Sequence, residues 1–113
     1  MRPESRKLIW DAREAVARIQ EFTTGKTLDD YNAEVLLSSA VERQLEIVGE
    51  ALYRLSRLDP QTAAGIEELS RIIGMRNVLA HGYATVDNRL VWDVVTSKLQ
   101  RLAAQLERLA QES

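Results

Sequence analysis

Arg76, His81 and Tyr83 are the residues of this chain whose types and spacing could do chemistry. They fall within one stretch, Arg76-Asn77-Val78-Leu79-Ala80-His81-Gly82-Tyr83. Histidine has an unperturbed pKa of about 6.5, so it donates or accepts protons near neutral pH. Arginine presents a planar, permanently charged fork that matches phosphate oxygens. A tyrosine hydroxyl can orient a phosphate, donate a hydrogen bond or accept a modification. Such a set could cleave RNA without a metal: His81 takes the proton from a ribose 2′-hydroxyl, and Arg76 meets the charge developing on phosphorus. The reaction also needs an acid on the leaving oxygen, and the chain has a single histidine. A two-fold dimer supplies two, which is a physical reason to expect the site at a dimer interface.

The spacing also admits an ordinary explanation. A histidine near a helix C-terminus is a favourable cap for the helix dipole, Arg76 could be a surface arginine, and Tyr83 could cover the end of the core. On an ideal helix, five residues turn through about 500°, leaving Arg76 and His81 some 140° apart in azimuth. A straight helix does not make them neighbours. Either the long arginine wraps back, the helix unwinds at His81-Gly82, or a second chain completes the site.

The elements that must position these residues are helices. Leu8, Ala12, Ala15, Ile19 and Phe22 recur at steps of four and three, predicting a helix from about Glu4 to Thr24 with Gly25 as its stop. A second helix should start near Asp29 to Asn32 and run to about Leu58, on a stripe of Val41, Leu45, Val48, Leu52 and Leu55. Asp59-Pro60 ends it. A third spans about Thr62 to Ala80, with Ile66, Leu69, Ile73 and Val78 as its core positions and Ile72 and Leu79 close by. Gly74 within it suggests a close helix crossing or a local irregularity, and Gly82 closes it. The fourth begins after Asp87 or Asn88 and carries Val91, Val95, Leu99, Leu102, Leu106 and Leu109 inward, with Lys98, Arg101, Gln105, Arg108 and Glu112 outward. The expected fold is all-α: an antiparallel four-helix bundle in one domain, residues 1–113, with room for an extra short helical turn near residues 27–31.

Composition narrows the function classes. The chain has 113 residues, 45% of them hydrophobic and 28% charged, a globular balance. Its net charge of −2 is not the basic footprint of a protein that holds nucleic acid by bulk attraction, so any RNA contact needs a local patch or a groove between chains. With no cysteine and one histidine, neither a disulfide nor a structural zinc site from one chain is expected; no cofactor and no metal are implied. No apolar run approaches the roughly 20 residues of a membrane span, and the N-terminus does not read as a signal peptide. The cytoplasm is the expected compartment.

Arg76, four residues, His81, one residue and Tyr83 match the Arg-x4-His-x-Tyr motif of the HEPN superfamily. The wider context resembles its HepT-like branch, the toxin half of toxin–antitoxin pairs with a minimal nucleotidyltransferase. Ile47-Val48-Gly49-Glu50-Ala51-Leu52 looks like that branch's second-helix segment. Ile72-Ile73-Gly74-Met75-Arg76-Asn77 looks like its approach to the motif, and Val86-Asp87 with Val91-Trp92 like the start of its last helix. The resemblance implies a helical homodimer with both motif copies facing one cleft. It implies metal-independent ribonuclease activity on RNA, with His81 as the acid–base residue, Arg76 as the phosphate contact and Asn77 as an accessory polar residue. It also implies control by a cognate nucleotidyltransferase antitoxin that attaches AMP to Tyr83, where the added phosphate and nucleoside would compete with RNA for Arg76.

Glu42 and Glu50 lie two turns apart on the long helix and could orient Arg76 or His81, although such glutamates are more often solvated. Trp10 and Trp92 read as core or interface residues rather than base-stacking platforms. The Arg54-Arg57 pair and the Lys98-Arg101-Arg108 face read as solvated, while Arg71 and Arg89 are the better RNA-contact candidates. The alternative to an enzyme is a non-catalytic nucleotide- or partner-binding subunit of a nucleotidyltransferase, in which the motif merely holds a phosphate.

Overall fold

A computed structural model describes residues 1–81 and 86–112. Its helices are α1 (Pro3–Thr23), α2 (Leu28–Ala33), α3 (Val35–Leu58), α4 (Pro60–Ala63), α5 (Leu69–Ala80), α6 (Asn88–Asp93) and α7 (Leu99–Gln111), with a π-helical turn, Val94–Lys98, joining the last two. No strand occurs among the described residues, and none of their helices is long and apolar enough to cross a membrane. The four long segments are the expected ones. At the centre, α1 packs on α3; α5 leans on α3 and α7 on α1.

Pro3 opens α1 at a position where its missing N–H is no loss. The helix buries Ile9, Ala12, Ala15, Val16 and Ile19, leaving Leu8 and Phe22 half-buried at its margins. Gly25 follows with φ +74°, the left-handed conformation glycine adopts without penalty. α1 and α3 run antiparallel: the buried Ser5 hydroxyl donates to Asp59 Oδ2 at 2.9 Å, and Arg2 donates to the Leu58 carbonyl at 3.2 Å.

The expected second helix is two helices. Thr27 and Asp30 form a reciprocal capping box that starts α2. Glu34 then leaves the helical region at φ −103°, ψ 95° before α3 begins. The reason is geometric. Tyr31 lies six residues before Leu37, which on an unbroken helix is about 120° away from the α3 stripe. Breaking the helix at Glu34 lets the Tyr31 ring enter the core against Trp92, with centroids 5.3 Å apart, while α3 buries Leu37, Val41, Leu45, Val48, Leu52 and Leu55.

The third helix is shorter than its periodicity suggests. α4 is one turn, capped by Asp59 and opened by Pro60, and residues 64–68 form turns before α5. These turns keep both Ala63 and Ile66 buried. They are pinned from α7, where Gln105 accepts a hydrogen bond from the Glu67 backbone N–H at 3.2 Å. Gln105 is therefore buried rather than outward-facing. On α5, Ile72 and Leu79 face inward and Val78 faces solvent, so Val78 is not a core position.

The fourth segment starts at Asp87, whose side chain accepts from the Arg89 N–H at 2.9 Å. Val91, Val95 and Leu99 follow at two successive steps of four, which drift by about 80° around an ideal helix. The π turn is wider than an α turn and absorbs that drift. Val91, Val94, Val95, Leu99, Leu102 and Leu106 all reach the core in consequence.

Candidate functional site

Arg76 occupies the inward stripe of α5, four residues after Ile72 and three before Leu79, both buried. A guanidinium on that stripe needs space and partners, and α3 provides both. The space comes from Gly49. A Cβ built there would lie 2.1 Å from Arg76 Cβ and 2.8 Å from Arg76 Cγ, so the backbone of α3 itself is the wall against which Arg76 rests. The partners follow at the next positions of α3. Arg76 Nη2 donates to Glu50 Oε2 at 2.6 Å, and the guanidinium carbon lies 5.2 Å from the centre of the Tyr53 ring. Arg76 Nη1 donates to Asn77 Oδ1 at 2.7 Å. Glu50 also accepts from Arg54 Nε at 3.2 Å, so one carboxylate bridges two guanidinium groups. Partial desolvation pushes the Glu50 pKa upward, but the hydrogen bonds and charges of Arg76 and Arg54 outweigh it, and the carboxyl sits below its ordinary value.

This cluster borders a cleft of about 370 Å³. Leu8 and Asp11 of α1 form one wall and Arg76 and Ala80 of α5 the other; Arg43, Glu46, Ile47, Glu50, Ala51 and Arg54 of α3 lie between them. Three arginines face three carboxylates, so within one chain the cleft is close to charge-balanced.

His81 is the C-cap of α5, with φ −98° and ψ 46°, and is exposed. It is not among the described residues lining the Arg76 cleft. Arg76 turns toward α3, and His81 lies exposed at the helix end. Tyr83 and Gly82 lie outside the described residues. The structure thus brings Arg76, Asn77 and Glu50 together, and does not bring His81 to them within one chain.

Other expectations resolve differently. Glu42 has no hydrogen bond to Arg76 or His81 among the described residues; burial, then the neighbouring Glu46, raises its pKa. Arg54 is exposed, as expected, and also donates to Glu50 at the edge of the cluster. Gly74 marks no close crossing, since a Cβ there meets nothing within 4 Å; the close crossing is at Gly49. Trp92 packs on the core, whereas Trp10 is half exposed beneath Lys7. Arg71 pairs with Glu68 and Asp93, and Arg89 with Asp87. Tyr53 was not singled out by sequence reasoning. Its signal is its place one turn beyond Glu50, which only matters once Arg76 is known to lie over α3.

The family described as "Ribonuclease HepT-like" matches residues 12–109. A probable ribonuclease HepT of Thermococcus cleftensis is 32% identical over 96% of this chain and 98% of its own length. A Caldanaerobacter subterraneus subsp. tengcongensis protein named as a candidate RNase is 28% identical over 81% of each chain. A Methanocaldococcus jannaschii protein, named as a gamma-glutamylcyclotransferase and candidate RNase, is 30% identical over 88% of this chain, which spans 44% of that longer protein. No solved structure matches. The match over almost the whole length, together with the arginine–histidine helix end, places this chain in the HepT-like ribonuclease family.

Proposed function

We propose that this chain is a metal-independent endoribonuclease toxin of a toxin–antitoxin pair, acting in a cleft shared by two protomers. The observation that carries the reading is the held guanidinium of Arg76, with an exposed imidazole, His81, at the end of the same helix. Glu50, Asn77 and the Tyr53 ring fix the arginine while leaving it N–H donors for a phosphate. Preorganised donors of this kind stabilise charge that appears only in the transition state.

In the proposed reaction, His81 removes the proton from a ribose 2′-hydroxyl. The freed oxygen attacks phosphorus, and Arg76 takes up the charge on the non-bridging oxygens. The bond to the 5′-oxygen breaks, and a second imidazole protonates that oxygen. The chain has a single histidine, so the scheme draws the second imidazole from a homodimer. AMP attached to Tyr83 by a cognate nucleotidyltransferase antitoxin would add negative charge and bulk beside the motif, competing with RNA for Arg76.

The test is His81→Ala. Being exposed, the side chain can be removed without loss of helical circular dichroism, and cleavage of RNA in EDTA should disappear. Cleavage at the wild-type rate would reject the assignment. The charge balance of the cleft favours a second reading, a non-catalytic subunit that binds nucleotide or a nucleotidyltransferase. Unmodified wild-type chain that binds nucleotide but never cuts RNA would establish it over the first.

A further inference from the structure

Arg76 is seated by an absence: the side chain that Gly49 lacks. We propose that Gly49 is a positioning residue of the ribonuclease site, acting by letting α5 lie close enough to α3 for Arg76 to meet Glu50 and Tyr53. The inference rests on the ribonuclease reading of Arg76. A Cβ on Gly49 would stand 2.1 Å from Arg76 Cβ, 2.8 Å from its Cγ and 3.2 Å from the Ile72 carbonyl oxygen, whereas ordinary contact begins at 3.4 Å. Two of those three atoms lie at the root of the side chain and in the backbone, which cannot swing aside as the tip of a flexible chain can. Alanine at 49 therefore parts the helices by more than an ångström at this point. Glu50 and Tyr53 are fixed to α3 and Arg76 to α5, so the separation falls on the 2.6 Å hydrogen bond and on the arginine–ring contact. Gly49 is itself buried, and its φ is not in the left-handed region. What the position requires is the missing Cβ, not glycine's backbone freedom.

Gly74 provides the internal comparison. It lies on α5, two residues before Arg76, and a Cβ there meets nothing within 4 Å. The experiment compares Gly49→Ala with Gly74→Ala in the full chain, by cleavage of a fluorescent single-stranded oligoribonucleotide and by carbon-13 NMR titration of the Glu50 carboxyl. Gly49→Ala is expected to lower kcat by about 100-fold, the scale of a misplacement of an ångström, with KM changed less. The Glu50 titration midpoint should rise toward that of an ordinary glutamate as Arg76 withdraws. Gly74→Ala should leave both unchanged. If either readout stays at wild type in folded Gly49→Ala, the proposal is overturned. Should the wild-type chain not cleave RNA at all, the ribonuclease reading fails, and the Glu50 midpoint alone judges the seat. Should Gly49→Ala not fold, the pair Gly49→Ala/Arg76→Gly removes the opposing Cβ: recovered helical dichroism supports the seat, and its absence overturns it.

Discussion

Replacing Glu50 by glutamine keeps the shape of the side chain and an oxygen for Arg76, but removes the charge that bridges Arg54 and Arg76. The Glu50 side chain is 38% exposed, that of Arg76 27% and that of Arg54 68%, so solvent screening limits what each pair contributes. At about 0.2–1 kcal/mol per pair, the two together stabilise the fold by about 1 kcal/mol. Unfolding entropy of about 2.1 cal/mol/K per residue turns that into a fall in Tm of about 4 °C. Thermal unfolding of wild type and Glu50→Gln at pH 7 measures it. The pH dependence has a definite sign. The Glu50 pKa is lowered in the folded chain, so its contribution is complete above the unfolded value and is lost as pH falls through the folded one. The gap in Tm between the two proteins should therefore close on acidification, and narrow in about 1 M salt at pH 7. A gap that is undiminished after the carboxyl has been protonated would show that the charge pairing is not what Glu50 contributes.

Two further substitutions test the local physics. Gly74→Ala, in an open position on α5, should stabilise the chain by about 0.5–1 kcal/mol through helix propensity alone, read as a higher urea midpoint with an unchanged slope. Thr27→Ala removes half of the capping box at the start of α2 and should lower stability by about 1 kcal/mol in the same titration.

The helices were legible wherever apolar residues recur in helical phase, as along Val41 to Leu55, and so were the ends marked by Gly25, Asp59-Pro60 and Asp87. Their interruptions were not, because each satisfies two elements at once. Glu34 breaks a helix so that Tyr31 and Leu37 can both be buried, and residues 64–68 turn so that Ala63 and Ile66 can. The π turn had a visible sign in the steps of four from Val91 to Leu99, which were read as ordinary helix. At the candidate site, residue types singled out Arg76 and His81 because their chemistry is unusual in combination. The role of Gly49 lies in the distance between two helices, which no single stretch of sequence contains. One clue was available: Arg76 shares a face with Ile72 and Leu79, and a charged group on a buried face must have a polar partner across the interface.

The buried amide of Gln105 on α7 holds the Glu67 backbone, and Arg101 reaches the Glu67 carboxylate at 3.2 Å. The foot of the arginine-bearing helix is thus anchored by the last helix, α7. Trimming from the C-terminal end first removes core contacts such as Leu106 and then that grip, so its loss should reach the foot of α5, and through it the Arg76 cluster, without touching a residue of the cluster.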